Sequence, residues 1–388
     1  MVKFAHIADV HLGGWKQQQM QTLNFESFKK TIDICLQSKL DFVLIAGDLF
    51  DSPYPPIETL KETFAEFKRL KDANLPCFII AGSHDYSASG KTFLDVLEKA
   101  GFCKNVFDAE ERDGKIFLNP SICKNIAIYG YPGKKSGLEV QDLRRVKFND
   151  APGLFKIFML HTTLDKVVEG LPIDALESEK LPHADYYALG HIHVLFHDNI
   201  QNIVYPGPVF PNNFKEIKDL HHGSFVLVDT NATEKVKFIK IPLKEIEYIE
   251  LLVDDGLNAT EKILAEIDKR EINNKIVLLK IRGELKRGKN SDIKFLQIEE
   301  FIMNKGAHFS IKNIYDLTTK EFEFDTEIKS EENVEEEIIN FYSEKNPSIL
   351  NSLVPEIMNV LSIEKQEGET NETFNNRLIE ESRKVLNF

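Results

Sequence analysis

Long apolar runs are missing from this 388-residue sequence. The longest, such as 42–46, are strand-sized and far short of the roughly 18 residues that a membrane-spanning helix needs. The N-terminus enters Val2-Lys3-Phe4-Ala5-His6 without the basic region, long apolar stretch and small-residue cleavage site of a secretory leader. A cytoplasmic protein with no membrane association is therefore expected. Cysteine is scarce: Cys35, Cys77, Cys103 and Cys123 are scattered and form no CxxC pair. That excludes a disulfide scaffold and a thiolate metal site, and fits a reducing compartment. An excess of basic charge is also missing, since 48 Lys and Arg face 62 Asp and Glu for a net charge of −14. A free-standing nucleic-acid binder normally carries a basic footprint. Any polyanionic substrate must then be drawn by local features, by bound cations or by a partner. Glycine (20) and proline (15) are too few, and the 42% hydrophobic content too high, for a collagen-like or disordered chain.

What is present reads as two or three domains. Short apolar stretches bounded by turn residues at 2–8, 42–46, 77–81, 126–129, 156–160 and 186–189 predict buried strands. Amphipathic helices lie between the early ones. One carries Phe25, Phe28, Ile32 and Cys35; the next carries Ile57, Leu60, Phe64 and Phe67 and opens after Pro55-Pro56. Strand–helix alternation through residues 1–230 implies an α/β domain with a largely parallel sheet. Over 231–320 the pattern changes to a small α+β unit. It has a strand-like stretch at 236–252, a helix with Ile263, Leu264 and Ile267, a strand at 275–281, a helix ending at Gly306 and a strand at 308–315. Residues 321–340 hold nine acids and one base, the pattern of a solvated linker. The rest of 321–388 predicts three short helices around Val334–Tyr342, Ile349–Leu361 and Phe374–Val385. Their apolar faces are too narrow to bury themselves and suit a partner surface.

The chemistry follows the strands. They run out into Asp9-Val10-His11, Gly47-Asp48-Leu49-Phe50-Asp51, Gly82-Ser83-His84-Asp85, His161 and Gly190-His191-Ile192-His193. In an open α/β sheet the carboxyl ends of the strands share one edge, where ligands bind. Ten of the eleven histidines precede residue 223. A DxH triplet or a GD pair alone is a turn or a helix cap; five such ends at one edge form a metal centre. Mixed imidazole and carboxylate donors suit Mn, Fe or Zn, whereas Mg or Ca prefers oxygen alone. Two ions account for the mixture better than one, with Asp48 able to bridge them at about 3.5–4 Å separation. Such a pair clamps a phosphate and activates water, so the reaction inferred is phosphoester hydrolysis.

These motifs, in the order DxH, GD, GSH, H and GHxH, resemble those of the calcineurin-like metallophosphoesterase superfamily. Gly47-Asp48-Leu49-Phe50-Asp51-Ser52-Pro53, Ala81-Gly82-Ser83-His84-Asp85 with Gly90-Lys91, and Tyr205-Pro206-Gly207-Pro208 narrow the resemblance to SbcD-type DNA double-strand-break repair nucleases. The resemblance implies a two-sheet sandwich flanked by helices over 1–230, a capping DNA-binding domain over 231–320, and a linker with a helical ATPase-binding arm over 321–388. It assigns Asp9, His11, Asp48 and His193 to one metal, Asp48, Ser83, His161 and His191 to the other, and His84 to catalysis as transition-state stabiliser or proton donor. It implies two Mn²⁺ ions, with Mg²⁺ less favoured, and single-strand endonuclease and double-strand 3′-to-5′ exonuclease activity. The implied partners are DNA, a second copy of the chain, and an SbcC-type coiled-coil ABC ATPase held by the C-terminal helices. The family commonly has Asn at position 83, and some members have His at position 51; Ser83 and Asp51 depart from that.

Two other functions fit parts of the sequence: a phosphatase of the same superfamily, favoured by the acidic charge, and a catalytically weakened DNA-end scaffold, favoured by Ser83. Lys134, Lys135, Arg144, Arg145, Lys147, Lys286, Arg287 and Lys289 are either phosphate contacts or solvated surface. Trp15 either stacks on a base or packs on its own loop. Asp51 and Asp85 read equally well as turn carboxylates.

Overall fold

The computed structural model describes residues 2–87, 90–168, 175–319, 339, 343, 351–363, 365 and 371–386. The chain divides into two units, 1–320 and 321–388.

The first unit is built on two six-stranded sheets. One orders its strands Val236–Ile241, Gly223–Asp229, Lys3–Ile7, Phe42–Ala46, Cys77–Ile80 and Lys104–Asn105, the last four parallel. The other runs Leu195–Asp198, Ile203–Pro206, Tyr186–Gly190, Phe155–His161, Ile126–Tyr131 and Ser121–Cys123, its four central strands parallel. Alternation along each strand sorts the side chains. Phe4, Phe42, Leu44, Phe78, Ile128, Ile157, Met159 and Ala188 fill the space between the sheets. Ala5, Ile7, Val43, Ile45 and Ile79 face the other way, onto helices. Those helices are Gln18–Gln37, burying Phe28, Ile32 and Cys35, and Ile57–Asp72, burying Phe67 and Leu70. This is the sandwich expected from the sequence. Ile57 is a correction: placed on the apolar face by its spacing, it is 79% exposed at the start of its helix.

The stretch expected as one strand at 236–252 is two, Val236–Ile241 and Ile246–Leu252. Pro242 follows the first; lacking an N–H, it cannot continue a ladder. Val236–Ile241 pairs with Gly223–Asp229 and completes the first large sheet. The change of sheet therefore comes after Ile241, not at 231. From Ile246 a smaller sheet begins, with Ile246–Leu252, Ile276–Leu285 and Phe309–Asn313 all parallel and Leu317–Thr319 beside Ile276–Leu285. Helices Gly256–Asp268 and Phe295–Asn304 cross over it, burying Ile263, Ile267, Ile298 and Ile302. This cap meets the sandwich through an apolar joint of Trp15, Met20, Leu23, Phe210, Ile217, Ile276 and Leu278.

In the second unit, Val354–Leu361 and Asn371–Leu386 are helices that contact each other. None of their described side chains is buried. The expected helix around Val334–Tyr342, and apart from Ile339 the acidic stretch 321–340, lie outside the described residues. Among the described residues no helix is long and apolar enough to cross a membrane.

Candidate metal centre

All five motif loops leave the carboxyl ends of parallel strands at one edge of the sandwich, and backbone bonds lace them together. Asp9 N–H donates to the Gly47 carbonyl, and Val10 and His11 N–H both donate to the Asp48 carbonyl, at 3.2, 2.9 and 3.0 Å. Five expected ligands occupy left-handed backbone: Asp9 (φ 52°), His11 (46°), Asp48 (50°), His191 (102°) and His193 (52°). Each such residue costs about 1–2 kcal/mol without a compensating interaction. Strain on five of the seven expected ligands marks a site whose side chains are aimed for a purpose other than stability. The glycines beside them leave space for that aim. A Cβ at Gly47 would lie 2.2 Å from His161 Nδ1, and one at Gly82 would lie 2.1 Å from Asp48 Oδ1.

Three groups bring potential ligand atoms within reach of one ion: Asp9, His11 and His193; His11, Asp48 and His84; and Asp48, His161 and His191. Asp48 stands at the centre. Its Oδ2 is 3.5 Å from His11 Nε2, 3.1 Å from His161 Nε2 and 3.5 Å from the Ser83 hydroxyl, while its Oδ1 accepts from His84 N–H at 2.8 Å. Asp9 Oδ1 accepts from His191 N–H at 2.8 Å and lies 4.0 Å from His193 Nε2.

The fit to a cation can be tested from the hydrogen bonds. His11 Nδ1 is 3.0 Å from Asp51 Oδ1, and His193 Nδ1 is 3.0 Å from Glu216 Oε1. A carboxylate only accepts, so both Nδ1 atoms carry protons and each ring turns its Nε2 toward the site. Those two nitrogens face each other at 3.1 Å. His161 repeats the pattern: Nδ1 donates to the Ala46 carbonyl at 2.9 Å, and Nε2 is buried without a hydrogen bond, beside Asp48 Oδ2. Lone pairs and carboxylate oxygens converging in a buried space repel unless a proton or a cation lies between them. The electrostatics say the same. Burial disfavours charge on His161 and Asp48, yet their mutual attraction wins, lifting the imidazole to about 10 and holding the carboxyl well below its usual range. His191 is pushed down to about 4, by burial and then by the nearby His161. The residues fit divalent cations on either side of Asp48.

His84 differs from the rest, with a side chain 49% exposed at the mouth of the site. Its Nδ1 is 3.0 Å from the Asp51 carbonyl, so Nε2 is the nitrogen open to a substrate.

Sequence reasoning left three carboxylates without a firm role. Asp51 orients His11. Buried Asp85 accepts from the N–H groups of Leu49, Phe50 and Gly82 at 3.3, 3.0 and 2.9 Å, clamping two ligand loops together. Burial, then the nearby Asp48 charge, raises its carboxyl to about 7. Glu216, which holds His193, was not anticipated at all. Its signal was the capping pattern Asn213-Phe-Lys-Glu216: the Asn213 side chain accepts from Glu216 N–H at 2.9 Å, and Glu216 Oε2 accepts from Asn212 N–H at 2.8 Å.

Four of the eight basic candidates are tied down. Lys134 pairs with Asp142, Arg145 with Asp142 and Glu111, Arg144 with Glu177, and Arg287 with Asp255 at 3.6 Å. Trp15 is buried in the joint, its Nε1 donating to the Pro211 carbonyl at 3.1 Å, and is not placed to stack on a base.

A two-sheet sandwich with Asp and His converging at one strand edge around a central carboxylate defines a metallophosphoesterase. The calcineurin-like phosphoesterase family model matches residues 2–195, and the chain belongs to that family, a metal-dependent phosphodiesterase of its SbcD/Mre11 branch. The DNA double-strand break repair protein Mre11 of Methanocaldococcus jannaschii is 31% identical over 73% of this chain and 77% of its own length. The Mre11 protein of Archaeoglobus fulgidus is 25% identical, over 89% of this chain and 90% of its own. A Bacillus subtilis relative, the uncharacterized metallophosphoesterase YhaO, is 29% identical over 61% of this chain and 59% of its own.

Proposed function

We propose that this chain is an Mn²⁺-dependent DNA nuclease that processes ends in double-strand-break repair, with single-strand endonuclease and 3′-to-5′ double-strand exonuclease activity. The observation that carries the reading is the pair of converging ligand sets on the two sides of Asp48, with His84 at their mouth. Asp9, His11, Asp48 and His193 would hold one ion, and Asp48, Ser83, His161 and His191 the other. Bound there, the ions supply Lewis acidity and lower the pKa of water. The mixed nitrogen and oxygen donors favour Mn²⁺ over Mg²⁺. His84, anchored through Nδ1, presents Nε2 to the substrate; in the imidazolium form it donates a proton to the departing sugar oxygen. DNA as substrate rests on the named relatives. The intracellular location, the pairing of two copies through part of the region of Leu60–Phe67 and of 92–97, and capture of a coiled-coil ABC ATPase by the C-terminal helices rest on the family resemblance. That those helices bury none of their described side chains supports a partner for them. Residues 246–319 act as the DNA-facing cap.

The test is cleavage of labelled single-stranded and hairpin DNA by the purified protein in Mn²⁺ against chelator, beside His84→Ala. Mn²⁺-dependent cutting reduced about 10²-fold or more in the variant is expected. A wild type that leaves DNA intact but hydrolyses phosphomonoesters would replace the nuclease with a phosphatase. Absence of both activities would leave a scaffold.

A further inference from the structure

The two halves of the centre are held differently, and from that difference we infer an order of loading. The Asp9–His11–Asp48–His193 position takes the first divalent ion tightly, and the Asp48–Ser83–His161–His191 position takes a second, weaker one. This rests on the two-ion reading above. In the first position both imidazoles donate their far N–H to a carboxylate, His11 to Asp51 and His193 to Glu216, each at 3.0 Å. A carboxylate behind an imidazole fixes the tautomer, locks the ring and pushes electron density to the coordinating nitrogen. In the second position, among the described residues, the only group bonded to an imidazole nitrogen is the neutral Ala46 carbonyl, on His161. The remaining donor is the short Ser83 hydroxyl, 3.5 Å from Asp48 Oδ2. Two carboxylates thus accept hydrogen bonds from the far side of the first set; behind the second the nearest is Asp9, whose Oδ1 lies 3.8 Å from His161 Nδ1 and belongs to the first position.

Glu216 is the stronger of the two supports. It is fixed at both ends, by Asn212 N–H on Oε2 and by the Asn213 cap on its own N–H, and it is largely buried. Its helix, Phe214–Leu220, is wedged against the cap: Phe214 lies edge-on to Tyr248, Lys218 sits 4.6 Å over the same ring, and Ile217 enters the joint. Glu216 is therefore a positioning residue whose own place is set by the cap strand Ile246–Leu252. Asp51 is half-exposed and shared with His84, 3.7 Å away, so its hold on His11 is looser.

The experiment is a calorimetric titration of Mn²⁺ into the metal-stripped full-length protein, with electron paramagnetic resonance at each step. Wild type should bind in two resolved steps, with an isolated-ion spectrum at one equivalent and an exchange-coupled spectrum at excess. Glu216→Gln keeps an acceptor for the Asn212 N–H but removes the charge; it should weaken the first step by about 10- to 100-fold, and Asp51→Asn by less. His161→Ala should delete the second step alone, and Ser83→Asn should tighten the second step alone. Two equal steps, or a first step untouched by Glu216→Gln, would overturn the ordering while leaving the two-ion centre intact. A first step lost in His161→Ala, or tightened by Ser83→Asn, would reverse it. No Mn²⁺ uptake by wild type would overturn the two-ion reading itself.

Discussion

The sandwich and the cap are made from the same parts, parallel strands joined by crossover helices, and only one of them carries a reaction centre. In the cap the strand ends also bear acids. Asp255 follows Ile246–Leu252, but it is solvent-accessible and caps the next helix, accepting from Leu257 N–H at 3.0 Å. In the sandwich the corresponding acids, Asp9 and Asp48, are buried and sit on left-handed backbone, and Asp48 faces the unpaired Nε2 of His161 at 3.1 Å. A strand-end carboxylate is thus a cap where water and a helix N-terminus satisfy it. It becomes a ligand where the chain withholds both. Strand polarity supplies the location; burial among imidazoles, away from water and a helix N-terminus, supplies the function.

The largest expected effect comes from removing the shared carboxylate. Asp48→Ala should lower phosphodiester hydrolysis on the order of 10³-fold, measured with a chromogenic diester, because it faces both ligand sets. Near-normal turnover would place the chemistry elsewhere. Metal should stabilise only the sandwich side of the comparison. Mn²⁺ at about 100 times its dissociation constant adds about 2.7 kcal/mol to folded-state stability. Hydrogen exchange should then slow in the loops at 9–12 and 47–50, with the local openings at 254–256 and 286–288 unchanged. Equal slowing in both would erase the distinction.

The interiors differ in acid too. His6, hydrogen-bonded to Tyr186 between the large sheets at 2.9 Å, is lowered to about 3 by burial. The unfolded imidazole titrates near 6.5, so between about 6.5 and 3 the unfolded chain holds the extra proton. Stability is complete above 6.5 and falls as the pH drops, by about 1.4 kcal/mol per unit for this group. Denaturant melts of wild type and His6→Gln from pH 7 to 5 should diverge in slope; parallel curves would remove His6 from the account. Smallest is the cap's acid: Asp255→Ala should cost about 1 kcal/mol of stability and leave turnover unchanged. Lost turnover would make it more than a cap.

Most of this was legible in the sequence, for physical reasons. Short apolar runs such as 42–46, buried on both faces, announce central parallel strands, and their polarity fixes which ends share an edge. That brought Asp9, His11, Asp48, Ser83, His84, His161, His191 and His193 together without any contact being visible. The supporting carboxylates were not legible in the same way. Asp51 was seen and left open, because a turn acid and an imidazole anchor look alike in a string of letters. Glu216 sits 23 residues past His193, and only the helix following Tyr205-Pro206-Gly207 returns it to the ring. The break at Pro242 was misread because apolar character continues across it while hydrogen bonding does not. Ile57 was misread because a helix's first residue lies beyond the buried stripe.

The chain has a single tryptophan, and the fold has put it in the joint between sandwich and cap, four residues beyond His11. Its indole is 8% exposed and lies edge-on to Phe210. Emission from this protein is therefore a one-point optical readout. It is blue while the cap is seated and shifts red when the joint admits water. The molecule carries its own dye, placed by folding where the cap strands meet the loop that bears His11, and a fluorimeter can report on the integrity of that joint without any label.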